Sequence, residues 1–200
     1  MIQEKIIRSL EHNRYKVSCF ETSLAAADYL VEHIRGVTVG FGDSATLEAM
    51  NLANRLSAYN DVIDPAPHSG PAFNRVAEKA LTTQVFITSV NAAAETGELV
   101  NIDGTGNRVA GSLFGHEKIY FVFGKNKIEP TLEKAIWRAR NIAAPQNAHR
   151  LGCSTPCAVK GDRCYDCSSP DRICNTLNIH LKKMSNVAAE VIIIDETMGM

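Results

Sequence analysis

Residues 119–127 read Ile119-Tyr120-Phe121-Val122-Phe123-Gly124-Lys125-Asn126-Lys127. Five β-branched or aromatic residues without a polar interruption specify a short strand buried on both faces, and the abrupt change to Gly, Lys and Asn ends it. Compact apolar runs recur at 37–41, 85–90 and 188–194, with further strands at 15–20 and 99–102. Between them, apolar residues return at helical spacing over 24–34, through Leu47, Met50, Leu52 and Leu56, over 73–81 and over 132–142. Shorter helical signals lie at Ile6, Ile7 and Leu10 and at 109–114, and Pro65, Pro67, Gly70 and Pro71 mark a long connection. Alternating strands and helices of this kind predict an α/β fold with a mostly parallel sheet covered on both faces.

In open α/β sheets, ligands bind beyond the carboxyl ends of the strands, so the segments that follow strands are where function is sought. The first is Gly40-Phe41-Gly42-Asp43-Ser44-Ala45-Thr46. Its glycines permit close backbone approach, and Gly40, Gly42, Ser44 and Thr46 are candidate ligand contacts; a tight turn with a helix cap is the alternative. The second is Asn101-Ile102-Asp103-Gly104-Thr105-Gly106-Asn107-Arg108. Gly104, Gly106 and Asn107 suit a backbone nest, and Arg108 offers paired hydrogen bonds to a carboxylate or phosphate. In the third, Asn126 and Lys127 follow the opening strand, either as anion contacts or as solvated loop residues. Asn91, after the 85–90 strand, faces the same crevice in this reading, and Glu95 and Asp103 are the candidates for proton transfer.

Composition limits the partners. The chain has 200 residues, 45% hydrophobic and 22% charged, with a formal charge of -1. That is enough chain for a full core, most simply one domain over residues 1–200. The balanced charge supplies no basic field for nucleic acid. No run approaches the roughly 18 apolar residues of a membrane span. Residues 1–10, MIQEKIIRSL, interleave charges with apolar positions and lack the features of a secretory leader, so the expected location is the cytoplasm, with reduced thiols.

That expectation bears on the cysteines, five of which fall within 153–174 before the last strand. The spacing Cys157-x6-Cys164-x2-Cys167-x6-Cys174 contains one C-x2-C knuckle and matches neither a paired zinc ribbon nor a ferredoxin run. Four thiolates could still hold a [4Fe–4S] cluster or one zinc ion, with Asp166 and Arg172 beside them; free thiols on a loop are the alternative. Cys19, within an apolar strand, reads as a small buried hydrophobe.

The segments 89–95, 99–110 and 124–127, with Ile142-Ala143-Ala144-Pro145-Gln146-Asn147-Ala148, Arg150-Leu151, Thr155-Pro156-Cys157 and Cys164-Tyr165-Asp166-Cys167 through Cys174, resemble the lactate-utilisation (LUD) domain. Gly40 to Leu47 resembles that family's Gly-Ser-Thr-Leu turn, with Asp43 where a glycine is frequent. The resemblance implies a three-layer α/β fold similar to sugar-phosphate isomerases, glucosamine-phosphate deaminases and CoA transferases. It also implies a role linked to bacterial lactate oxidation alongside iron–sulfur oxidoreductase partners, and it makes Cys157, Cys164, Cys167 and Cys174 the matching set. Two functions follow. A protein binding a small anionic metabolite requires Gly42, Ser44, Asn91, Asp103, Asn107, Arg108 and Lys127 to converge on one pocket. A non-catalytic redox or assembly subunit requires a metal at the cysteines and no competent crevice.

Overall fold

The computed structural model describes Ile2 and residues 4–200. Its larger sheet contains β1 (Lys16–Phe20), β2 (Thr38–Phe41), β3 (Asp61–Ile63), β4 (Val85–Thr88), β7 (Lys118–Gly124) and β10 (Ala188–Ile194). They lie in the order β1-β10-β7-β4-β2-β3, every neighbouring pair parallel. The strand latest in sequence, β10, is therefore an interior one, between β1 and β7.

Strand pleating divides each apolar run between two cores. Tyr120 and Val122 join Val39, Ile87, Ile192 and Ile194 on one face, while Ile119, Phe121 and Phe123 join Phe86, Val191 and Ile193 on the other. Helices α2 (Ser23–His33), α3 (Ala45–Ala49) and α4 (Leu52–Ser57) cover the first face through Leu30, Leu47, Leu52 and Leu56. Helices α1 (Glu4–His12) and α5 (Gly70–Ala80) contribute Ile6, Leu10 and Ala80 to the second. The parallel sheet between helical layers is as the sequence predicts.

A second sheet shares that second face. It is built from β5 (Ala92–Ala94), β6 (Leu99–Asp103), β8 (Ile128–Glu129) and β9 (Thr176–His180), in the order β8-β5-β6-β9. Ala93 and Leu99 point into the core of the large sheet, and Ala92, Ala94, Val100 and Ile102 pack outward on Ala135, Ala139 and Ala144. Of these four strands the sequence marks only the segment at 99–102. β5 is three alanines and β8 two residues, so neither carries a β-branched pattern, and pairing with neighbours holds them extended.

Three local expectations need correction. The helix running through Leu47 to Leu56 is two helices, broken where Asn51 adopts a left-handed conformation (φ 49°). The helix expected over 132–142 does not end there. Helix α7 (Leu132–Arg138) passes through a π turn (Ala139–Ala143) into α8 (Ala144–Arg150), where proline at the first turn needs no N–H partner. Cys19 is exposed, because β1 is an edge strand, and it is no buried hydrophobe. The remaining helices are α6 (Asn107–Leu113) and α9 (Pro156–Lys160).

Candidate functional site

The carboxyl ends of β2, β4 and β7 open toward one side of the large sheet, and the end of β6 reaches the same place from the second sheet. Beyond β2 the chain turns through Asp43, whose left-handed conformation (φ 46°) brings Ser44 to the start of α3. Beyond β4 come Ser89, Val90 and Asn91, and beyond β7 a short 3-10 turn, Lys125–Lys127. These segments enclose a cavity of about 370 Å³.

Of the residues singled out in the sequence, Ser44, Thr46, Asn91, Asp103, Gly104, Asn107, Arg108 and Lys127 line it. Gly40, Gly42, Gly106, Asn126 and Glu95 do not. Gly40 is packed so closely on helix α5 that a Cβ there would stand 2.3 Å from the Ala80 carbonyl oxygen, so its missing side chain serves helix–sheet contact. Gly42 meets Thr88 in the same way, and Gly106 (φ 90°) is the residue that starts α6. Asn126 braces the C-terminal segment by accepting a bond from Met198 N at 2.9 Å. Glu95 is paired with Lys5 at 2.9 Å, away from the cavity, which gives it a structural partner in α1.

Lys127 is the most constrained group. It is 4% exposed, and its Nζ donates to Thr46 Oγ1 at 3.1 Å, Ser89 Oγ at 3.2 Å and the Val90 carbonyl at 3.1 Å. Burial, and then the nearby Arg138 and Arg108 guanidinium groups, pull its pKa down to about 7. Arg108 is held by the Ile102 carbonyl at 2.6 Å through Nη2, which also lies 3.5 Å from Asn91 Oδ1. Asn91 Oδ1 accepts from Ile102 N at 2.7 Å, and Arg138 grips the Asn91 carbonyl at 2.6 Å. The carboxylate of Asp103 accepts from Val109 N at 3.0 Å and so caps α6. It holds Arg108 on the first turn of that helix.

The cavity also draws on residues that the sequence does not mark as ligand contacts. His68 and Ser69 come from the approach to α5, Asn147 and Arg150 from α8, and Met200 from the C-terminal segment. Arg150 is oriented by two bonds to Asn147 Oδ1, at 3.0 and 3.1 Å. An Asn and an Arg three residues apart on one helix face were the available signal, hidden because the helical spacing read from the sequence stops at 142.

All six cysteines are free thiols. Cys157, Cys164, Cys167 and Cys174 line one small cavity of about 20 Å³, together with Arg172 and Tyr165. This donor set suits a soft metal. Yet among the described residues no three ligating side chains converge on a point where an ion could sit. A tetrahedral zinc site needs sulfurs roughly 3.8 Å apart, and about 20 Å³ is the space of one water-sized body. The thiol cavity and the larger crevice share Ala144 and Ile173 as walls.

Among the described residues no helix is long and apolar enough to cross a membrane. A model of the LUD domain family matches residues 3–194. Among solved structures, the chain is similar to a DUF162 family protein from Deinococcus radiodurans, with 14% identity and a TM-score of 0.51 over 97% of this chain and 99% of that one. It is also similar to ribose 5-phosphate isomerase A from Neisseria gonorrhoeae, with 16% identity and a TM-score of 0.37 over 56% of this chain and 57% of that one. No functionally curated protein matches. The first likeness, at so low an identity, speaks for a shared fold.

Proposed function

The chain belongs to the LUD domain family, and from that premise we propose that it serves the use of lactate or a related organic acid by binding a small anionic metabolite in the strand-end crevice. The observation that carries this reading is Lys127, buried in the wall of a cavity beside Arg108, with the Arg138 and Arg108 guanidinium groups adding to burial in pulling its pKa down. An ionised amine out of water is costly unless an opposite charge approaches it, and a bound anion supplies one. Arg108 is the group best suited to seat that anion, since the bonds that fix it use only Nη2 among the described residues. Its remaining donors are free to engage a carboxylate side-on.

The test is titration calorimetry with lactate, pyruvate and inorganic phosphate. At least one should bind, and Arg108→Ala should weaken it by about 10-fold or more, the scale of a lost charged hydrogen bond. Binding unchanged in Arg108→Ala for every anion that binds the parent would overturn the assignment.

A second reading rests on the four cysteines that line one cavity. Here the protein is a redox or assembly subunit whose loop opens to take an iron–sulfur cluster or zinc and presents it to an iron–sulfur oxidoreductase partner. Metal and sulfide analysis of protein purified without air decides it. Iron with sulfide, or zinc, in the parent and its loss in the Cys164→Ser, Cys167→Ser double variant supports this reading; metal-free parent protein removes it.

A further inference from the structure

We propose that Lys127 is a covalent catalytic residue, its Nζ condensing with the carbonyl of a 2-oxo carboxylate whose carboxylate group is seated on Arg108. The inference rests on the crevice reading above and deepens it by naming the ligand's reactive group.

Three features of the geometry point to a reacting amine rather than to a simple counter-charge. First, Lys127 lines a cavity that Arg108 and Asn91 also line, so a ligand held by those two lies beside this residue. Second, two of its three partners are hydroxyls, Thr46 Oγ1 and Ser89 Oγ, which lie 3.4 Å from each other. A hydroxyl accepts from an ammonium and, after rotating, donates to a neutral amine, so the pair can hold Nζ in either state. Third, two guanidinium groups and burial favour loss of the ammonium proton, with the pKa at about 7. Desolvation beside other cations is a recognised way of turning lysine into a nucleophile near neutral pH.

The step balances within the site. Neutral Nζ adds to the ketone carbon, the C–N bond forms, and the carbonyl π electrons move to oxygen, which takes a proton as nitrogen gives one up. The carbinolamine then loses its hydroxyl with one more proton as water, and the nitrogen lone pair closes the C=N bond. Amine plus ketone gives imine plus water, with no oxidant or reductant consumed. Ser89 and Thr46 are placed to relay the protons.

The experiment is borohydride trapping on the intact protein with pyruvate as probe, lactate as the ketone-free control, and peptide mass spectrometry to map the product. The expected result is a single reduced adduct at Lys127, absent with lactate, with exposed lysines such as Lys125 unmodified. The trapping rate should climb as pH is raised through about 7. The adduct should vanish in Lys127→Arg, which keeps the charge and cannot form an imine. Calorimetric binding of pyruvate without an adduct at Lys127, or adducts confined to exposed lysines, overturns the covalent role and leaves the anion site standing. Loss of all anion binding overturns both. Because mapping is done on the parent chain, neither outcome depends on a variant folding.

Discussion

Lys127 concentrates at one residue what the crevice demands. Its pKa falls from an ordinary 10.5 to about 7 on folding, so between those values the unfolded chain binds more protons than the folded one. Stability conferred through this group therefore rises with pH across that window, and below about pH 7 the buried ammonium is a burden. Compared with Lys127→Met, the parent protein should gain on the order of a few kcal/mol between pH 7 and 10. Thermal denaturation of both proteins across that range would measure it. A difference that stays flat with pH would mean that Lys127 ionises as an exposed lysine does. The sequence identified this residue as a strand-end cation, but the same letters describe Lys125, which reaches the surface and pairs with Asp195 at 3.0 Å. Two positions along the chain separate a solvated ion pair from a buried amine, and only the turn between them determines which is which.

At the scale of elements, the 102–108 turn and the cysteine segment behave as one unit. Asn175 N donates to the Asp103 carbonyl at 3.0 Å and Asn175 Nδ2 to the Gly104 carbonyl at 3.1 Å, while β9 continues the pairing along β6 from Asp103 to Leu99. Gly104 makes this possible: a Cβ there would stand 2.8 Å from the Ile173 carbonyl oxygen. Gly104→Ala should therefore push the 173–175 strand end away, at a cost of about 1–3 kcal/mol. It should also speed the labelling of Cys174, whose thiol burial holds up in pKa, by a thiol reagent. Unchanged stability and unchanged labelling would show that the loop yields without loss. The sequence shows Gly104 in a turn and Cys174 in a cluster; it does not show that one is packed on the other, because the contact crosses some seventy positions of chain. The same limit explains why β5 and β8 escaped notice, since their extended form comes from pairing rather than from their own residues.

At the scale of the molecule, the topology places a condition on folding. β10 lies between β1 and β7, and its Glu190, fully buried, is bound by Lys16 from one neighbour and Lys118 from the other, at 3.1 and 3.0 Å. Burial alone would raise this carboxyl, and the bonds from Tyr29, Ser18, Lys118 and Lys16 outweigh it and hold it below the usual range. A chain ending before Ala188 would leave β1 with no partner strand and one edge of β7 unpaired. It should show no cooperative thermal transition by near-ultraviolet circular dichroism, and a sharp transition would mean that the remaining strands suffice. What the sequence determined by itself is the set of compact, two-sided apolar runs, the parallel sheet they imply, and the polar residues at their carboxyl ends, because pleat and helix periodicities are written locally. What the tertiary structure decided is which of those polar residues meet. Asn91, Asp103, Arg108 and Lys127 join the unforeseen Arg150 around one cavity, and Glu95 and Gly40 turn to structural partners. Strand order and the second sheet set those distances, and they depend on contacts between residues far apart in the chain.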